Sequence, residues 1–151
     1  MTAVSSRFRH IDSVKGLKDL QSLKTIMAEQ AEAQALQNVR VCEDDVASAS
    51  GELDLAVADW QDFWSGTLSD PAWLAELGSR VNVSHAALVD AEQALTSARE
   101  EFERRVKLRT QETERQQSIG KRYRALHRAA LNKRADDAAQ ELFLSRRRVM
   151  S

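Results

Sequence analysis

Only one proline interrupts this chain, at position 71, and the apolar residues on both sides of it keep the same seven-residue rhythm. Before it, Val39, Cys42, Val46, Ala49, Leu53, Ala56, Trp60 and Phe63 fall at alternating spacings of three and four. After it, Leu74, Leu77, Val81, Ser84, Leu88, Ala91, Leu95, Ala98 and Phe102 do the same. A heptad pattern held for about four repeats predicts a helix that buries one narrow stripe against another helix. Five glycines and one proline in 151 residues supply too little turn chemistry for an all-β or α/β domain. The reading is therefore all-α, a long antiparallel two-helix coiled coil.

The break itself reads "SGTLSD", residues 65–70. Pro71 suits the first helical position, where its missing N–H costs nothing, and Asp70 before it is a natural N-cap. Gly66 is placed to end the first helix in a left-handed conformation. A loop this short returns the chain antiparallel. The predicted layout is one hairpin over residues 1–151, with helix 1 over about 12–64, the loop at 65–70 and helix 2 over about 71–145. Folding there pairs residues whose numbers sum to 137, so that Trp60 meets Leu77, Ala49 meets Leu88, Cys42 meets Leu95 and Ala35 meets Phe102. Large side chains repeatedly face small ones, as close helix packing requires. About fifty residues per arm predict a rod on the order of 75–80 Å long.

Toward the termini the same phase brings Ile11 to Leu126 and Val14 to Tyr123, but Thr25, Glu32, Arg109 and Gln116 occupy seam positions between. A seam so polar predicts a weakly held, mobile lower half. Residues after about Leu126 have no partner and form a C-terminal overhang. A second apolar stripe, Leu17, Leu20, Leu23 and Met27, lies off the seam. It is either a stutter that shifts the seam locally or an exposed docking face. Gly51, Gly78 and Gly120, inside helical pattern, read as weak points costing about 1 kcal/mol each.

The net charge of −1 conceals a strong polarity. Residues 1–28 carry five basic and two acidic side chains, and residues 104–151 carry fourteen and five. Residues 29–76 carry one basic residue, Arg40, against eleven acidic ones. In a hairpin this places a basic end at the termini and an acidic end at the loop. A basic end suits phosphate, acidic headgroups or an acidic protein surface. Nucleic acid has little support, because Tyr123 is the only aromatic within the basic stretch 104–134 and no DNA-reading motif is present.

No catalytic constellation emerges. His10, His85, His127 and Cys42 are isolated from one another at any metal-ligand spacing, and no phosphate-cradling glycine loop exists. The chain is read as non-enzymatic, with no cofactor and no metal. Lone Cys42 suits a reducing compartment, and no apolar run reaches membrane-span length. A soluble cytoplasmic protein is expected.

Two features remain for binding partners. Trp60, Trp64 and Trp73 gather around the loop and should cluster, either plugging the end of the coil or exposing Trp64 as an interface anchor. On the overhang, Leu142, Phe143 and Leu144 precede Arg146, Arg147 and Arg148. Such a tail is either a solubilising extension or an amphipathic helix that inserts in a partner, with apolar anchors and charged rim.

Taken together, these segments resemble the FliJ/YscO family, the central-stalk proteins of flagellar and type III secretion export machinery. The N-terminal "RFRHIDSVKGLKDLQSLKTIMAEQAEAQAL", the C-terminal "LNKRADDAAQELFLSRRR" and the aromatic pair in "WQDFW", Trp60 and Trp64, carry the resemblance. It implies a stalk and coupling function, with the hexameric export ATPase at the basic end and the membrane-embedded export-gate protein near the upper coil. It also implies export chaperones as partners and a cytoplasmic location peripheral to the inner membrane. On this reading Trp60 and Trp64 belong to the gate-binding side. The alternative is a generic cytoplasmic coiled-coil adaptor or chaperone.

Overall fold

The computed structural model describes residues 2–66 and 70–150, with side chains from residue 9 onward. It consists of two helices, α1 (Thr2–Ser65) and α2 (Pro71–Val149), packed against each other, with no strand among the described residues. The all-α helical hairpin is as expected. Contacts divide it into two compact units, Glu29–Leu108 around the loop, and Met1–Ala28 with Arg109–Ser151 at the termini.

In the loop unit, every residue of the two heptad seams is buried or half-buried. Ala35, Val39, Ala49, Ala56 and Leu77 are the most buried, Leu77 with 3% exposure. Most of these are small, which lets the two backbones approach while leucines and aromatics of the other helix fill the space between turns. Ion pairs flank the seam, Arg80 to Asp59 at 4.0 Å and Arg99 to Glu43 at 3.5 Å. The side chains of both pairs are at least half exposed, and each pair adds at most about 1 kcal/mol. Their numbering runs in opposite directions along the two helices, as an antiparallel pair requires.

Gly78 is not a weak point but a receptacle. A Cβ built there would lie 2.9 Å from the Trp60 ring, whereas nothing lies within 4 Å of one built on Gly51 or Gly120. The bare backbone at 78 makes room for the half-buried indole against α2. This separates the three glycines by experiment. Gly51→Ala and Gly120→Ala should each raise stability by up to about 1 kcal/mol, the helix-propensity gain. Gly78→Ala should lower it despite the same gain, because the ring must leave its seat. Thermal melts of the three variants check the sign.

The α2 start matches the expected cap. The Ala72 amide donates to Asp70 Oδ1 at 3.0 Å and the Leu74 amide to the Asp70 carbonyl at 3.0 Å. The α1 end differs. No glycine among the described residues has positive φ, so Gly66 does not form a left-handed cap. Instead its amide donates to the Phe63 carbonyl at 3.2 Å, and Ser65 Oγ donates to the Asp62 carbonyl at 3.0 Å. A tightened last turn satisfies these carbonyls without a left-handed residue. Thr67, Leu68 and Ser69 of the predicted loop lie outside the described residues. Helix α1 also begins earlier than residue 12, at Thr2, since residues 2–11 contain neither glycine nor proline to stop it.

In the terminal unit Val14 is buried, and Ile11, Tyr123 and Leu126 are half-buried. The polar seam positions Thr25, Glu32, Arg109 and Gln116 are buried or half-buried, and Thr25 and Gln116, with the neighbouring Gln21, are bonded across the seam. Gln21 and Thr25 are only 6% and 5% exposed. Gln21 Nε2 donates to the Glu112 carbonyl at 3.1 Å and also to the Glu112 carboxylate, while Thr25 Oγ1 reaches the same carbonyl at 3.4 Å. Gln116 Nε2 donates to Ser22 Oγ at 3.2 Å. The numbers 25 and 112 add to 137, the register expected from the loop unit. The seam runs to Lys133, one further turn or two than Leu126, and every described residue from Arg134 to Met150 is exposed.

Candidate functional site

The aromatic residues at the loop do not form one cluster. Trp60 and Trp64, one helical turn apart, meet edge to face with ring centroids 5.8 Å apart and planes at 65°. Trp60 lies between Gly78 and this contact, and Trp64 is 60% exposed. Trp73 is 49% exposed and makes no ring contact with the pair. The reason is its place one residue before the seam position Leu74, which turns the indole away from α1. The expectation of three clustered tryptophans is thus corrected to a pair and a separate exposed ring. Trp60 packs against α2 at Gly78, and Trp64 is the ring left exposed.

The second site is the C-terminal end of α2. Leu142 and Phe143 are each 67% exposed, with Leu144 beside them. Ser145 Oγ donates to the Leu142 carbonyl at 2.9 Å and the Met150 amide to the Arg146 carbonyl at 3.2 Å, so the helix continues through the arginines. Arg146, Arg147 and Arg148 occupy its last turn, where cations complement the negative end of the helix dipole. An exposed helix with three adjacent large apolar side chains and a basic end can insert into an apolar groove with acidic edges.

The stripe Leu17, Leu20, Leu23 and Met27 is exposed throughout, together with Ile26. It is therefore not a stutter of the seam, which keeps its phase through Val14, Gln21 and Thr25. Hydrophobicity alone would have chosen the leucines for the seam. The continuity of the heptad count from Ala35 back to Val14 was the signal that identifies the polar positions instead.

Charge follows the division into units. The loop unit carries 6 basic and 16 acidic side chains, and the terminal unit 16 and 7, giving net charges of −10 and +9. Within the loop unit, hydrogen bonds from Arg104 and Arg105 hold the Glu101 carboxyl below its usual value of 4.5. This arrangement runs along one helix, from Glu101 to arginines three and four residues later, and supports α2 locally.

Near the termini, Ile11, Asp12, Lys15, Tyr123, His127 and Arg134 contribute to a cleft of about 230 Å³. Lys18 Nζ sits 4.8 Å above the Tyr123 ring, and Tyr123 stacks on His127 with centroids 6.1 Å apart. No group of three or more metal-capable side chains occurs among the described residues, and no helix among them is long and apolar enough to cross a membrane. No protein-family model, curated protein or solved structure matches the chain.

Proposed function

We propose that this chain is a non-enzymatic stalk and coupling protein of a flagellar or type III secretion export apparatus. It would link the hexameric export ATPase to the export-gate membrane protein and assist export chaperones. Its place is cytoplasmic, peripheral to the inner membrane through that apparatus. The observation that carries this reading is a helical hairpin whose terminal unit is strongly basic and whose loop unit is strongly acidic. Each unit also presents its own exposed apolar anchor, Phe143 with its neighbours in one and Trp64 in the other. Such a molecule suits two different partners rather than a substrate, because opposite fields steer and orient different surfaces.

Copurification from cells that carry such an apparatus tests the reading. The full chain should retain an ATPase and a membrane gate protein. Trp64→Ala should reduce gate recovery at least about tenfold, the loss of one exposed aromatic anchor. Its melting temperature should stay within about 2 °C, since the ring is largely in solvent. Unrelated partners would favour the adaptor reading, and salt-sensitive nucleic acid would favour a basic-arm protein.

A further inference from the structure

The exposed stripe on α1 has a pattern of its own. Leu20, Leu23 and Met27 are about half exposed or more and lie roughly 100–160° around the helix from the seam positions Gln21 and Thr25, on its outer side. Their spacing of three and four makes Leu20 and Met27 equivalent to a positions and Leu23 to a d position of a second heptad. Asp19 then occupies a g position and Lys24 the e position five residues later. Both are exposed, and neither makes an ion pair among the described residues.

We propose that this face pairs with the same face of a second copy, in parallel. In a parallel two-stranded coil each g residue lies beside the e residue five positions later on the other helix, and these charges set partner and orientation. Asp19 of each copy therefore meets Lys24 of the other, twice per dimer by symmetry. Ile26, also in a g position, meets the small Ala31 in the same way. An antiparallel pair places g beside g and e beside e, so that neither charge finds its opposite. The stripe thus carries a complementarity that only the parallel arrangement uses.

The contact is small. Five partly exposed apolar side chains per copy fall well short of the roughly 800 Å² per partner of a stable dimer. The pairing is accordingly reversible and half-formed at a concentration on the order of 100 μM, weaker than standard-size interfaces.

Sedimentation equilibrium of the full chain, with Cys42→Ser to exclude disulfides, tests this over a hundredfold range reaching about 1 mM. Monomer–dimer behaviour is expected. Leu23→Glu should remove it, with an unchanged melt confirming that the hairpin is intact. Asp19→Lys and Lys24→Glu should each weaken it about fivefold, and the double swap should restore it. A monomer at every concentration, insensitivity to Leu23→Glu, or failure of the double swap to rescue would each overturn the proposal. A monomer that instead binds a different protein through this face would assign the stripe to that protein.

Discussion

Removing residues 140–151 should leave the melting temperature of the hairpin within about 2 °C of the full chain and should abolish stimulation of the proposed partner ATPase. The first half follows from burial. Every described residue from Arg134 to Met150 is exposed, so the deletion takes no side chain from the seam. The second half rests on what the segment presents, two-thirds-exposed Leu142 and Phe143 ahead of three arginines. A tail that only solubilises gains nothing from adjacent large apolar side chains. An inserted helix uses both, the apolar residues for affinity and the arginines for orientation and encounter. Stimulation should accordingly fall steeply with salt in the full chain. Steady-state ATPase assays with both proteins check this, and full stimulation by the truncated chain would remove the overhang from the mechanism.

Glu112→Ala should lower stability by about 1–3 kcal/mol, a large effect for an exposed-looking acidic residue of a basic segment. Its side chain is only 16% exposed and receives Gln21 across the seam, besides Arg115 along α2. Removing it takes away one of the two acceptors of the buried Gln21 amide, which keeps only the Glu112 carbonyl, so part of its desolvation is then uncompensated. The double substitution Gln21→Leu with Glu112→Leu should behave oppositely. It replaces both partners by apolar groups of similar size and should equal or exceed the parent in stability. Urea denaturation of the parent, single and double variants separates the outcomes. If the single variant matched the parent, the cross-seam bonds would contribute nothing to folding.

Much of the fold was legible because helical periodicity is a global signal. A count of three and four from Val39 to Phe63, and again from Leu74 to Phe102, identifies residues that are all buried or half-buried. Asp70 was legible because a cap depends on one side chain and its own backbone. The errors fall where a second helix decides. Gly78 looked like a defect until its neighbour was Trp60, a relation between residues eighteen apart in sequence and across the seam. Trp73 looked like a cluster member because nearness in sequence says nothing about side-chain direction. Gly66 was expected to need positive φ, yet a tightened turn closed the helix instead. At the candidate sites, exposure of Trp64 follows from its phase and that of Leu142 and Phe143 from their place beyond the seam, whereas what each would bind depends on surfaces this chain does not contain.

The cross-bonded layer at Gln21, Thr25 and Glu112 has a mechanical meaning. A seam of alanines and leucines is nearly periodic, so a slip of seven residues restores much of its contact. The layer has no such replica. Seven residues before or after Gln21 stand Val14 and Ala28, around Thr25 stand Lys18 and Glu32, and around Glu112 stand Arg105 and Ile119. A slip in either direction would break these bonds, and in one of them it would set Glu32 against Glu112. The layer therefore acts as a shear key, letting the terminal unit bear a longitudinal load that would make an all-apolar seam of the same length creep.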